Sequence, residues 1–118
     1  MYKDILLDHY RNPHNFGRLK KKTQSALLYN PLCGDKIQLD LLVENGIVKD
    51  ASFTGEGCVI STASASLLTD YVKGKQVSDL TALDRKFMMD LIGIEVSPGR
   101  IKCLMLSGEA LQKIIGAI

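Results

Sequence analysis

Hydrophobic and polar positions alternate in the segment IQLDLLVE, residues 37–44, which is typical of a strand with one buried face. The pattern places one set of residues inward and the other outward: Ile37, Leu39, Leu41 and Val43 inward, and Gln38, Asp40 and Glu44 on the polar face. The dipeptide Asn45-Gly46 follows and is a strong β-hairpin signal. QSALLYN precedes this strand and IVKDASFT follows the turn, and both have strand-like composition. Residues 23–54 are therefore predicted to form a three-stranded antiparallel sheet.

Helical periodicity replaces this alternation outside the sheet. Residues 2–10 predict a short N-terminal helix with Ile5 and His9 on one face. The second half predicts three more helices: one from Val59 to Gly74, one over residues 79–93, and one from about Arg100 to the C-terminus. The inward residues expected of these helices are Ile60, Ala63, Leu67 and Tyr71, then Leu83, Phe87 and Leu91, then Leu104, Leu111 and Ile115. The predicted fold is α+β with two layers: a three-stranded antiparallel sheet covered by helices, with an N-terminal helix and a C-terminal helical half.

Length and composition narrow the class of protein. The 118 residues fit a single domain over residues 1–118, with 46% hydrophobic residues and a net charge of +2. That charge is too small to indicate nucleic-acid binding, and the basic run RLKKK at 18–22 is interpreted as a solvated loop. No apolar run approaches the roughly 18–20 residues that cross a bilayer, and the first residues do not resemble a signal peptide. We expect a cytoplasmic protein that binds neither membrane nor nucleic acid.

Three cysteines stand at predicted element ends. Cys33 precedes the second strand, Cys58 begins a helix after GEG, and Cys103 lies near the start of the last helix. Element ends gather at the rim of a small domain, and a helix N-terminus favours the thiolate over the thiol. Each cysteine taken singly could equally be a small core side chain. Glycine neighbours in CGD and GEGC favour a site, because glycine lets the backbone approach a ligand closely.

Asp35, two residues after Cys33, is the natural fourth ligand for three such thiolates. This donor set suits zinc or iron, and no CxxC pair indicates a zinc ribbon or a thioredoxin motif. One oxygen ligand among sulfurs would hold a metal less tightly than four cysteines, which favours exchange over permanent structure. His9 is interpreted as a helix-face or interface residue rather than a ligand, and the serines of STASAS (61–66) as small side chains that permit close helix packing.

Four segments, in order along nearly the whole chain, resemble one family. YKDILLDHYRNPHNFG, NPLCGD, GEGCVISTASASLLTD and GRIKC are similar to the iron–sulfur cluster assembly scaffolds of the IscU, SufU and NifU N-terminal type. The resemblance implies a scaffold that accepts persulfide sulfur from a cysteine desulfurase and holds a transient [2Fe–2S] cluster for apo iron–sulfur recipient proteins. It assigns the iron, cluster or zinc ligands to Cys33, Asp35, Cys58 and Cys103, with Cys33 or Cys103 as the sulfur acceptor. A homodimer is a further expectation.

Two branches of that family fit different parts of the chain. IscU-type members have histidine before the last cysteine, where this chain has Lys102, as SufU-type members do. SufU-type members carry an insertion between the second and third cysteines, which this chain is too short to contain. The alternative function is therefore a zinc-dependent sulfurtransferase of the SufU type that activates the desulfurase. A scaffold would not be an enzyme, whereas this alternative would be. The charge of Lys102 could stabilise a neighbouring thiolate or persulfide, or Lys102 could simply face solvent.

Overall fold

The computed structural model describes residues 2–30, 34–81 and 83–117. The elements in chain order are helix α1 (Tyr2–Arg11), strands β1 (Gln24–Asn30), β2 (Asp35–Glu44) and β3 (Ile47–Glu56), and helices α2 (Val59–Val72), α3 (Arg85–Ile92) and α4 (Ile101–Gly116). Short 3₁₀ turns at Val77–Leu80 and Pro98–Arg100 precede α3 and α4. The predicted α+β architecture is confirmed.

The three strands form one antiparallel sheet in the order β1-β2-β3. Asn45 and Gly46 both have positive φ, 54° and 74°, as the tight turn between β2 and β3 requires. A register shift between Leu42 and Val43 interrupts the alternation next to this turn. The shift leaves Val43 half-buried, while Ile37, Leu39 and Leu41 are fully buried as the pattern predicted.

Helices α2 and α4 cover one face of the sheet, and α1 and α3 pack against α2. The predicted strand boundaries hold within a few residues, but β3 continues through Gly55 to Glu56. The expected loop GEGC is thus reduced to Gly57 and Cys58 between β3 and α2. Among the described residues, no helix is both long and apolar enough to cross a membrane.

The buried faces of the helices differ from the predicted stripes. In α2 the residues Ile60, Leu67 and Tyr71 are half-buried, while Leu68, Thr69 and Val72 are buried. The cause is that α2 contacts helices on several sides as well as the sheet, so its small residues are buried almost all round. In α1 the buried pair is Leu6 and His9, and Ile5 is exposed.

The predicted helix over residues 79–93 begins later than expected. The Asp84 carboxylate accepts a hydrogen bond from the backbone N–H of Phe87 at 2.9 Å and so caps α3, which Gly93 ends in the left-handed conformation. Met88 and Ile92 are buried, whereas Leu83, Phe87 and Leu91 are half-buried. In α4, Leu104 and Leu111 are buried as predicted, but Ile114 replaces Ile115 as the innermost residue near the end.

The loop before β1 covers part of the outer face of the sheet. Arg18 Nε donates to Asp40 Oδ2 at 2.7 Å, and the backbone N–H of Leu19 donates to the same oxygen at 3.2 Å. Asp40, predicted on the polar face, is therefore on that face but fully buried. The basic run is a surface loop as predicted, but Arg18 anchors it to the sheet.

Candidate metal centre

Asp35 is the first residue of β2 and pairs with Asn30 at the end of β1. It has the same strand parity as Ile37 and Leu39, so its side chain lies on the side of the sheet that the helices cover. Asp35 is 5% exposed, and its Oδ2 finds no hydrogen-bond partner among the described residues. A buried carboxylate oxygen without a partner carries a large desolvation cost, which a bound cation would remove.

Cys58 is the N-cap residue of α2 and is half-buried. Its carbonyl accepts hydrogen bonds from Ser61 Oγ at 3.2 Å and from the backbone N–H of Thr62 at 3.1 Å. Its side chain makes no capping hydrogen bond. The first turn of α2 therefore fixes the backbone of Cys58 and leaves its sulfur to face the site.

Cys103 is the third residue of α4 and is 5% exposed. Since α4 packs on β1 and β2, the start of this helix lies over the end of β2 that carries Asp35. One ligand atom each from Asp35, Cys58 and Cys103 lies within 4.8 Å of the other two. The convergence at one rim that the sequence predicted is thus present for these three side chains.

Gly57 packs closely into this site. A methyl group on Gly57 would lie 2.1 Å from Ser61 Oγ and 3.3 Å from Asp35 Cγ. The link between β3 and α2 therefore runs against the Asp35 carboxyl group, and a side chain at this point would displace the Ser61 hydroxyl. This is the close approach that the glycine residues of GEGC indicated.

The predicted ligand and sulfur acceptor Cys33 lies outside the described residues. The flanking backbone is described: the N–H of Gly34 donates to the carbonyl of Asn30 at 2.9 Å, and Gly34 has a φ of +75°, which favours glycine. The role of Cys33 stays a prediction. Lys102 is exposed on the first turn of α4, and any effect of its charge on a thiolate also stays a prediction.

The donor set fits a thiolate-binding metal. Two sulfurs and one carboxylate oxygen within 4.8 Å of one another suit zinc or iron. The Asp35 oxygen that has no partner among the described residues is available for coordination. Tetrahedral zinc with sulfur at about 2.3 Å would separate its ligand atoms by about 3.8 Å. Small side-chain movements would bring the three ligand atoms to that spacing.

A second cluster joins His9, His14 and Asp70, whose ligand atoms also lie within 4.8 Å of one another. Burial lowers the pKa of His9, and the neighbouring His14 lowers it further by a smaller amount. Burial alone would raise the pKa of Asp70, but hydrogen bonds from His14 and Asn15 hold it below its ordinary value. The sequence interpretation of His9 as a helix-face residue missed this cluster, because Asp70 is remote in sequence and no local pattern marks it.

These features define a class: a small α+β domain with a thiolate–carboxylate centre at the rim between the sheet and two helix N-termini. The chain belongs to the family of the NifU-like N terminal domain, whose family model matches residues 1–117. The resemblance inferred from the four sequence segments is thereby confirmed.

Two curated relatives represent the two branches. The chain is 38% identical over 130 residues to the zinc-dependent sulfurtransferase SufU of Bacillus subtilis (strain 168), covering 96% of this chain and 88% of that protein. It is 36% identical over 118 residues to the iron–sulfur cluster assembly scaffold protein IscU of Haemophilus influenzae, and the match covers 97% of this chain and 92% of that protein. The alignment with SufU is longer than this chain, so that relative has residues that this chain lacks.

Solved structures share the fold. One, a crystal structure of a hypothetical protein, superposes with a TM-score of 0.85 at 32% identity and covers 98% of this chain and 96% of its own. Another is a putative iron–sulfur cluster assembly scaffold protein for the SUF system from Fervidobacterium islandicum AW-1. It superposes with a TM-score of 0.80 at 22% identity and covers 95% of this chain and 94% of its own. At that identity the second likeness supports the fold alone.

Proposed function

We propose that this chain is a scaffold for iron–sulfur cluster assembly that accepts persulfide sulfur from a cysteine desulfurase and holds a transient [2Fe–2S] cluster. The observation that carries the proposal is the meeting of Asp35, Cys58 and Cys103 around a buried carboxylate oxygen that has no partner among the described residues. Cys33 would complete the ligand set. The relatives named as IscU scaffolds support the same function.

Mixed ligands suit a cargo that must be released. A carboxylate oxygen is a harder donor than a thiolate and binds iron or zinc less tightly in a sulfur-rich site. Asp35 would therefore be the ligand that dissociates first. Its place as the first residue of β2, next to the positive-φ turn at Gly34, puts it at the end of the strand rather than in its middle.

Sulfur acceptance is a thiol–disulfide exchange. The thiolate of Cys33 or Cys103 attacks the outer sulfur of the desulfurase persulfide, a new S–S bond forms on the acceptor, and the donor S–S bond breaks. The desulfurase cysteine leaves as a thiolate, so this step involves no net oxidation. Conversion of the transferred sulfur to sulfide needs electrons, which come in part from oxidation of Fe²⁺ and otherwise from a separate thiol or protein electron donor.

Anaerobic reconstitution tests the scaffold function. Protein incubated with ferrous iron, cysteine, a thiol reductant and a cysteine desulfurase should acquire the visible absorption of a [2Fe–2S] cluster together with acid-labile sulfide. Cys58→Ser and Cys103→Ser should abolish both signals. Asp79→Asn changes an exposed carboxylate of the 3₁₀ turn Val77–Leu80, outside the proposed ligand set, and should leave both signals intact. Normal zinc binding with neither absorption nor labile sulfide would contradict the scaffold function.

The second candidate function is the zinc-dependent sulfurtransferase. The compact spacing of the three ligand atoms favours it, because a single ion needs its ligands close together whereas a two-iron cluster spreads them over both irons. The relative named zinc-dependent sulfurtransferase SufU supports it as well. Zinc-loaded protein should then raise desulfurase turnover several-fold and carry persulfide on Cys33. Unchanged turnover in the presence of this protein would contradict the candidate.

The proposed partners follow from either function: a cysteine desulfurase as the sulfur donor and apo iron–sulfur proteins as recipients, with a homodimer as a further proposal. The cytoplasm is the compartment we propose, because reduced thiols persist there.

A further inference from the structure

The cluster of His9, His14 and Asp70 has no part in the proposed sulfur and iron chemistry, yet it brings two imidazoles and a carboxylate together. His9 lies on α1, His14 in the loop that follows, and Asp70 on α2. We propose that His9, His14 and Asp70 form a second metal site, which binds a divalent first-row transition metal ion such as Zn²⁺. This proposal is independent of the proposed function.

Ser66 fixes the two histidines relative to α2. Its Oγ lies 2.7 Å from His9 Nδ1 and accepts a hydrogen bond from the backbone N–H of His14 at 2.8 Å. In the tautomer in which His9 Nδ1–H donates to Ser66 Oγ, the lone pair of Nε2 is left for a metal. A hydrogen bond of this kind at the non-ligating nitrogen is the usual way in which proteins orient a metal-binding histidine.

Hydrogen bonds from His14 and Asn15 hold the Asp70 carboxylate. His14 Nδ1 lies 2.6 Å from Asp70 Oδ2, and Asn15 Nδ2 donates to Asp70 Oδ1 at 2.8 Å. Asn15 in turn donates to Thr69 Oγ1 at 3.0 Å and accepts a hydrogen bond from Lys73. Asn15 therefore positions the carboxylate, whose oxygens each retain a lone pair for a cation. The 2.6 Å contact between His14 Nδ1 and Asp70 Oδ2 has to open for both groups to bind the same ion.

The dimensions suit one ion. The imidazole rings of His9 and His14 have centroids 4.4 Å apart, and the three ligand atoms lie within 4.8 Å of one another. Tetrahedral zinc with nitrogen or oxygen at about 2.0–2.1 Å needs about 3.4 Å between ligand atoms. Because the His14 and Asp70 side chains are 49% and 43% exposed, they can rotate toward buried His9, and water can fill the remaining position.

The chemistry differs from that of the thiolate centre. Two imidazoles and a carboxylate contain no sulfur, so the site takes Zn²⁺, Co²⁺ or Fe²⁺ through nitrogen and oxygen. Ser66, which contacts both histidines, is eight residues after Cys58, so these two residues lie about 12 Å apart along the axis of α2. That separation excludes shared ligands, so the two sites can be observed independently.

The test uses untagged full-length protein whose thiolate centre has first been loaded with zinc. Further Zn²⁺ is then titrated by calorimetry, and the histidine ring signals are followed by NMR. His9 and His14 are the two histidines of the chain, so every histidine signal reports on this cluster. We expect a second equivalent of zinc to bind and both ring signals to shift with it.

Two variants separate a metal site from a structural hydrogen-bond network. Asp70→Asn keeps the size and most hydrogen-bonding capacity of the side chain, and His14→Gln changes a half-exposed ligand. Each should weaken binding of the second zinc at least about tenfold, because losing even an outer-shell partner of a ligand costs that much, and should leave the first equivalent unchanged. Asp79→Asn is the matched control and should change neither.

Three results would overturn the proposal. They are a stoichiometry that stops at the thiolate centre, histidine signals that do not respond to the added zinc, and second-site binding that persists undiminished in both variants. Loss of the first equivalent alone would instead count against the thiolate centre, so the two proposals fail separately.

Discussion

Strand β2 carries two buried carboxylates on opposite faces of the sheet, and their surroundings differ sharply. Asp40 is fully buried, and both of its oxygens accept hydrogen bonds: Oδ2 from Arg18 and Leu19, and Oδ1 from Ser25 Oγ at 2.7 Å. Asp35 is almost equally buried, yet its Oδ2 has no partner in the described part of the chain.

Burial alone therefore does not distinguish a structural carboxylate from a functional one. Asp40 recovers its desolvation cost from hydrogen bonds within the fold, so it holds the loop before β1 to the sheet. Asp35 has two cysteine sulfurs nearby, and none of the described residues donates a hydrogen bond to its Oδ2. Its missing partner is the cargo or metal that we propose for the rim. Asp40 should therefore act as a structural carboxylate and Asp35 as a metal ligand.

The largest effect is expected from Arg18→Met, which leaves the Asp40 carboxylate buried without its cation. Removing one partner of a buried pair costs several kcal/mol, and since Arg18 is about half exposed we expect a loss near the lower end, about 3 kcal/mol. Urea unfolding of the metal-free protein measures it. Lys21→Met, in the same loop and exposed, should cost little. The zinc affinity of both variants should equal that of the wild type. A large loss of zinc affinity in Arg18→Met would mean that the two carboxylates are coupled.

The same pair predicts a pH dependence of stability. Burial alone would raise the pKa of Asp40, but hydrogen bonds from Arg18, Ser25 and Leu19 hold it below its ordinary value of 3.8. Because the folded pKa is depressed, the pair stabilises the fold fully above pH 3.8, and this contribution is lost as the pH falls through the folded pKa. The free energy of unfolding should thus fall less steeply with acid in Arg18→Met than in the wild type. Parallel acid profiles would show that Arg18 does not set this pKa.

Asp35→Ala should have a smaller and opposite effect on the metal-free protein. It removes a buried oxygen that lacks a partner, so we expect the free energy of unfolding to rise by about 1–2 kcal/mol. Zinc affinity should fall at least about tenfold, because a ligand is lost. Glu56→Ala changes an exposed carboxylate on the neighbouring strand and serves as the control. Destabilisation comparable to that of Arg18→Met would show that Asp35 is structural too.

The sheet could be predicted from the sequence because its signals are local. Alternation over residues 37–44 and the Asn45-Gly46 turn act between neighbouring residues, and both are confirmed. The burial of Asp40 could not be predicted in this way, since it depends on a loop some twenty residues away in sequence that folds back over the sheet. Helical periodicity likewise could not select the buried side of α2, because helices and the sheet contact it from several directions.

The candidate site was more predictable than the packing around it. Glycine next to Cys58, the pairing of Cys33 with Asp35, and the family resemblance named the ligand set, and the structure brings Asp35, Cys58 and Cys103 together. The histidine cluster was missed because Ser66 and Asp70, which hold His9 and His14, are more than fifty residues away in sequence. Contacts of that range leave no spacing signal in a single sequence.

The smallest effect is expected from Gly57→Ala, which tests how tightly the chain is packed against Asp35. The new methyl group would collide with Ser61 Oγ, and rotation of that hydroxyl would break its hydrogen bond to the Cys58 carbonyl. We expect the variant to lose up to about 1 kcal/mol, the value of one such hydrogen bond, and to bind zinc more weakly. A second substitution, Ser61→Ala, removes the colliding oxygen and should restore zinc affinity.

Gly99→Ala is the matched control for this substitution, because a methyl group there meets no atom within 4 Å. Its zinc affinity and unfolding free energy should equal those of the wild type. Calorimetric zinc titration of the two glycine variants and the double variant gives the comparison directly. If Gly57→Ala binds zinc as the wild type does, the closeness of Gly57 to Asp35 does not position the carboxylate. The contrast with Asp40 would then rest on the missing hydrogen-bond partner alone.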